Sequence, residues 1–203
     1  MDAPLEKISG EALKSIQGEL FIKLSDVTQS SGLVKVDLLD LSIYQQQRKD
    51  EKQEYATKVR NDRQNGHMRT WFEISDDTPA DVRAKNRYVE FKLLKVAEPS
   101  QTNVTELPGA ERKITATVTG ELLLHGRKTT KSVKVEASFK FEGDQPRSVT
   151  IKTLEPLQVG LDEHDVRPRE AFGKLAQATL ASLGKKVAEK APVMLEFTAQ
   201  LKP

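Results

Sequence analysis

A mainly β fold, a barrel or sandwich carrying two helices, is what this chain predicts, and three features predict it. Apolar and polar residues alternate with period two over at least six segments. Turn signals separate those segments. Only two stretches carry helical spacing. Alternation on this scale describes an antiparallel sheet with one dry face and one wet face.

The strands follow in order. Residues 18–24 place Leu20, Ile22 and Leu24 on one parity and Phe21 on the other. Residues 32–43 form one long strand, with Val34, Val36 and Leu38 on one face and Lys35 and Asp37 on the other. Residues 87–96 put Val89, Phe91 and Leu93 together. Ile114, Ala116 and Val118 alternate with Thr115, Thr117 and Thr119. Val133, Val135, Ala137, Phe139 and Phe141 alternate with Lys134, Glu136, Ser138 and Lys140. Residues 149–161 form a further strand that breaks at Pro156, which has no N–H for a ladder. Val193, Leu195, Phe197, Ala199 and Leu201 mark the last strand.

Two helices are expected. Residues 47–63 are rich in charge, with only Tyr55, Ala56 and Val59 as a narrow apolar edge. Residues 171–186 are strongly amphipathic. Phe172, Leu175, Ala176, Thr179, Leu180 and Leu183 share one face, and Gly184 suits the C-terminal end. Residues 75–81 and 98–109 are loops by their Pro, Ser, Asn and Asp content.

Composition narrows the function. The 203 residues suit one domain, 1–203, and folding at this size buries roughly 70% of the unfolded surface. The net charge of +2, with the signs interleaved, gives no electrostatic case for nucleic acid. The strand aromatics follow the apolar parity and do not form a stacking platform beside basic residues. No apolar run approaches the roughly 18 residues of a membrane span. Cysteine is absent, which removes disulfides, thiolate catalysis and cysteine-held metals. Residues 1–4 lack the basic and apolar parts of a signal peptide. The chain is therefore cytoplasmic, or it follows a signal already removed.

Chemistry-bearing motifs are scarce. His67, His125 and His164 sit in separate segments without metal-ligand spacing. Residues 161–170, LDEHDVRPRE, cluster carboxylates around His164 but lack the spacing of a calcium loop, so a solvated loop is expected. No nucleophile elbow, phosphate loop or dinucleotide fingerprint is present. No residue is marked as catalytic and no cofactor is implied. Trp71-Phe72, after the charged helix, packs beneath it or lines the mouth of a cavity. In GELLLHGRKTTKSVKVEASFKFEG, residues 120–126 and 132–141 form a hairpin around a polar Lys/Thr turn, with His125 a hydrogen-bonded structural histidine at a strand end.

That hairpin resembles the central motif of the YceI-like family of polyisoprenoid-binding, lipocalin-like proteins. Gly120, Leu122, Leu124 and Gly126 match its first strand. Lys131 and Val133 match the return, with Ser132 where proline is usual. GHMRTWFEI, NRYVEFKLLKV and LVKVDLLDLSI resemble other family segments, in the family's order. The opening strand looks short or missing, and the helix from Ala171 is longer than the family's loop.

The resemblance implies an eight-stranded, or nearly eight-stranded, antiparallel lipocalin-like barrel with two helices. It implies a periplasmic or secreted protein that stores or carries a long-chain isoprenoid or similar fatty amphiphile, without catalysis. On that reading Phe91, Leu93, Phe139, Phe141 and Phe197 line the cavity. Trp71 and Phe72 stand near its mouth. The helix bearing Phe172 and Leu180 plugs one end or acts as a lid. An unpaired edge left by a missing first strand would favour a homodimer. Two other readings stand beside this one. The first is an envelope interaction module with a filled barrel, docking through residues 47–63. The second is an enzyme on a lipid-like substrate, for which His125 is the residue to test.

Overall fold

Period-two alternation becomes strand along most of the described chain, which is residues 2–3, 5–14, 16–167 and 189–200 of a computed structural model. The expected helix over 171–186, with Phe172 and Leu180, lies outside the described residues. In chain order the elements are β1 (Asp2–Ala3), β2 (Glu6–Glu11), β3 (Ile16–Phe21), β4 (Ser31–Asp37), β5 (Ser42–Gln47), β6 (Val59–Arg60), α1 (Asp62–Trp71), α2 (Ala80–Asn86), β7 (Tyr88–Ala97), β8 (Glu111–Leu124), β9 (Arg127–Glu142), β10 (Gln145–Thr153), β11 (Leu157–Gly160), β12 (Lys190–Val193) and β13 (Glu196–Gln200).

Seven strands form the main sheet in the order β13-β10-β9-β8-β7-β4-β3, every pair antiparallel. The sheet curls into a nearly closed barrel whose edges are β3 and β13. Two small sheets extend one end, β1-β2-β5-β6 and β11-β12. The chain passes from the main sheet into them through bends. The strand expected over 32–43 is therefore two strands, β4 and β5, separated by a single helical turn at Leu38–Asp40. The Asp37 carboxylate makes that bend by accepting from Leu39 N–H at 3.0 Å. Arg87 grips the same carboxylate through Nε at 2.8 Å and Nη2 at 2.5 Å. The expected break at Pro156 falls between β10 and β11. The last expected strand also divides, into the end of β12 and β13.

The hairpin of β8 and β9 is the longest in the fold, and its turn differs from the expectation. His125 and Gly126 both take positive φ, 51° and 71°, as a two-residue type I′ turn requires. Leu124 pairs directly with Arg127. The Lys/Thr stretch is thus strand, where β-branched Thr fits the pleat and Lys reaches water. Lys131 ion-pairs with Glu163 at 2.6 Å.

The expected charged helix over 47–63 is not a helix. After β5 the chain runs through turns, with Arg48 stacked on the Tyr55 ring at 4.5 Å, and then forms β6. Helix starts only at Asp62, where the Asn61 side chain caps Gln64 N–H at 3.0 Å. Three apolar residues were too few to hold a helix against the barrel. Buried Asn65 then ties α1 to β5. It accepts from Ile43 N–H at 2.9 Å and donates to the Ile43 carbonyl at 3.1 Å. The stretch over 75–81, expected as loop, runs into the short helix α2 after Pro79.

In β7 a bulge between Leu93 and Lys95 reverses the parity. Val89, Phe91 and Leu93 face inward before it, and buried Val96 faces inward after it. Leu94 is left outside. The core gathers in two clusters. Val27, Val104, Ile114, Phe139 and Val149 pack one end of the barrel. Leu38, Met68, Ile74, Leu122 and Val166 pack the other.

Candidate ligand-binding cavity

Between the two clusters the barrel encloses a cavity of about 890 Å³. Its wall is the dry face of the sheet. Val34 and Val36 come from β4, Phe91 and Leu93 from β7, Ile114, Ala116 and Val118 from β8. Val133, Val135, Ala137 and Phe139 come from β9, Ile151 from β10 and Phe197 from β13. Beyond the main sheet, Ile8, Leu41, Ile43 and Val159 continue the wall. The volume falls in the upper part of the range for ligand pockets.

The structure brings six of the expected residues onto this one surface: Trp71, Phe72, Phe91, Leu93, Phe139 and Phe197. Phe139 is also 1% exposed and packed into the first cluster, so it is wall and core at once. Trp71 and Phe72 likewise pack against the second cluster while facing the cavity. Phe141 does not line the cavity. It points inward as its parity requires, but it lies too far along β9. There the Arg112 guanidinium stands 3.8 Å from its ring centroid. Arg112 is held in turn by the carbonyls of Gly109, Val104 and Thr105.

Phe91 owes its place to a glycine. A Cβ at Gly120 would collide with the Phe91 ring and come within 2.7 Å of the Lys92 carbonyl oxygen. Gly120 therefore lets the ring lie flat across β8.

Helix α1 supplies residues that the sequence reading missed. Gln64, His67 and Met68 join the expected Trp71 at spacing i, i+3, i+4 and i+7, and all four face the cavity. The helical periodicity was present, but it began after Asn61 and not at residue 47. Burial, followed by the nearby charge of Arg63, pushes the His67 imidazole below its ordinary range, so His67 is neutral at pH 7. The other polar residues at the wall are Glu11, Ser30, Ser31 and Thr153. Thr153 is satisfied by Leu195, whose N–H donates to its hydroxyl at 3.0 Å.

The remaining histidines lie away from the cavity wall. His125 Nδ1 meets the His164 carbonyl at 3.0 Å and Nε2 meets Glu73 Oε2 at 2.7 Å. This is the structural role expected for His125. His164, expected in a solvated loop, is fully buried. Its Nδ1 donates to the Leu124 carbonyl at 3.1 Å and its Nε2 meets the Thr129 hydroxyl at 3.1 Å. The packing of β9 against the turn at Asp162–His164 overrides the acidic neighbours that suggested exposure. Among the described residues no three His, Asp or Glu side chains gather as a metal site. No helix among them is long and apolar enough to cross a membrane.

An antiparallel barrel with an apolar interior belongs to the class of small β-barrels, which either fill with side chains or leave room for one small ligand. Within that class the chain has the YceI-like fold. It superposes on the Campylobacter jejuni YceI protein with a TM-score of 0.57 and 12% identity, over 96% of this chain and 85% of that one. It also superposes on a polyisoprenoid binding domain from Saccharophagus degradans, implicated in plant cell wall breakdown, with a TM-score of 0.53 and 11% identity, over 98% and 94% of the two chains. Burkholderia cenocepacia BcnA matches with a TM-score of 0.50 and 13% identity, over 96% of each chain. At such identity the likeness is one of fold. No protein-family model matches the chain, and no curated protein matches its sequence.

Proposed function

We propose that this protein binds a long-chain isoprenoid or similar fatty amphiphile in its barrel and stores or carries it without catalysing a reaction. One observation carries the reading: the void of about 890 Å³ whose wall is almost wholly aliphatic and aromatic. Each CH₂ moved from water into such a wall contributes roughly 0.8 kcal/mol. Ten carbons then supply about 8 kcal/mol, the scale of micromolar affinity. A hydrocarbon tail needs no placed polar partner, which suits this wall. The shared fold of the Saccharophagus polyisoprenoid binding domain points the same way. A periplasmic or secreted setting belongs to the proposal, because a cargo of this kind moves between membranes. So does a homodimer paired along a sheet edge, which light scattering of the purified protein tests.

The deciding experiment is native mass spectrometry of the purified chain, followed by organic extraction of whatever it releases. A long-chain lipid at about one per chain is the expected result. A clean apo mass with no uptake of added isoprenoids would instead favour an envelope interaction module.

A further inference from the structure

The polar side chains facing the cavity have a consistent character. Among the described lining residues the one formal charge is the carboxylate of Glu11; the rest are hydroxyls, the amide of Gln64 and the imidazole of His67. Glu11 and Gln64 belong to the same part of the wall. Glu11 lies beside Ser42 and Gly10 beside Ile43 in the β2–β5 ladder, and Asn65, next to Gln64, bonds both backbone groups of Ile43. Lys58 ion-pairs with Glu11, and its ammonium stands 4.5 Å from the centroid of the Tyr44 ring. That cation is committed to the carboxylate and the ring. The Gln64 amide, by contrast, takes up no side-chain hydrogen bond among the described residues.

We propose, resting on the lipid-container reading, that the cargo is an uncharged amphiphile whose hydroxyl, carbonyl or amide head is seated at Gln64 beside Glu11. The apolar wall takes its tail. A diphosphate or carboxylate head is disfavoured there on two counts. It would be desolvated beside a carboxylate whose nearby ammonium, Lys58, is already paired with it, and no Lys or Arg among the described lining residues is there to receive it. A neutral head loses little on leaving water if one amide replaces its water partner. Neutral His67, one turn along α1, adds no positive charge to attract an anion.

The chain's one tryptophan, Trp71, faces the cavity and reports filling by its emission. The test titrates delipidated full-length protein with three probes: geranylgeraniol, geranylgeranyl diphosphate and squalene. The alcohol is expected to bind about tenfold more tightly than the diphosphate at pH 7.5. Gln64→Leu is expected to weaken the alcohol about fivefold and leave squalene unchanged, one net hydrogen bond being removed. Glu11→Gln is expected to narrow the gap between alcohol and diphosphate. Diphosphate binding equal to or tighter than the alcohol overturns the proposal, and so does Gln64→Leu binding the alcohol normally. If none of the three probes changes Trp71 emission or appears in a native mass spectrum, the container reading itself fails and takes this inference with it.

Discussion

The carboxylate of Glu73 meets Nε2 of His125 at 2.7 Å, across 52 residues of sequence. The opposite ring nitrogen of His125 faces a carbonyl, which only accepts, so Nδ1 carries a proton. The ring thus spans from the end of α1 to the turn before residue 165. It does so from the tip of the β8–β9 hairpin, and both His125 and Glu73 adopt the left-handed φ region. Two residues in a sparsely populated conformation hold each other in place.

Glu73→Ala should therefore cost about 1–3 kcal/mol, the penalty of leaving a buried ring nitrogen without its partner. Glu73→Gln, whose amide N–H can still reach Nε2, should cost less than half as much. Urea denaturation of the two variants checks the difference; equal losses would mean that the bond contributes nothing beyond packing.

Gly120→Ala should destabilise by about 1–3 kcal/mol, because the added methyl meets the Phe91 ring and the Lys92 carbonyl. Phe91→Ala in the same chain should restore part of that loss, since one of the two colliding groups is then gone. A double-mutant cycle from thermal or urea melts measures the coupling, and simple additivity would refute the contact.

Ala137→Phe should fill the cavity from a wall position that carries only a methyl group. Lipid recovered by extraction should fall at least severalfold, while circular dichroism stays that of a β protein. This variant tests the cavity more cleanly than Phe139→Asp, because Phe139 is also core and its loss would unfold the barrel. Undiminished lipid in a folded Ala137→Phe protein would place the cargo elsewhere.

Burial, the leading cause, pushes the His164 imidazole below its ordinary value near 6.5, against the pull of the Leu124 and Arg127 carbonyls. The unfolded chain then binds more protons than the folded one once pH falls below about 6.5. Stability should be level with pH above that value and decline below it, down through the folded-state pKa. Thermal melts from pH 7.5 to 5 should show the decline, and His164→Asn should lessen it, the remainder belonging to His67, whose pKa burial also lowers. A wild-type melting curve independent of pH over that span would contradict the buried neutral ring.

Alternation made the β8–β9 hairpin legible, and with it the side of the sheet on which Phe139 and Phe91 stand. Parity says nothing about depth along the barrel axis, so it points Phe141 at the cavity although that ring packs under Arg112. The bends were less visible. The one after Asp37 depends on a carboxylate capping its own backbone and on Arg87, 50 residues away. Charge density in residues 47–63 suggests a helix there, but the helix that forms begins only after the capping Asn61. The Asn61 signal and the i, i+3, i+4, i+7 face that follows it are the better guide, since a cap and a stripe must agree for a helix to dock. His164 was hidden by its neighbours, for a local run of acids cannot reveal the strand that later covers it.

The main sheet begins at β3 and finishes at β13, each bonded on one side only within it, while β8 and β9 share the longest ladder between them. A barrel built this way unzips from its rims and not from its middle. Amide protons of β8 and β9 should outlast those of β3 and β13 by orders of magnitude in deuterium exchange. Widening the gap between the rims breaks none of the main sheet's strand pairings, whereas parting any adjacent pair sacrifices a ladder. The barrel therefore has a stiff spine opposite a soft slit. On the container reading proposed above, a long cargo would enter sideways through that slit, without the molecule having to melt.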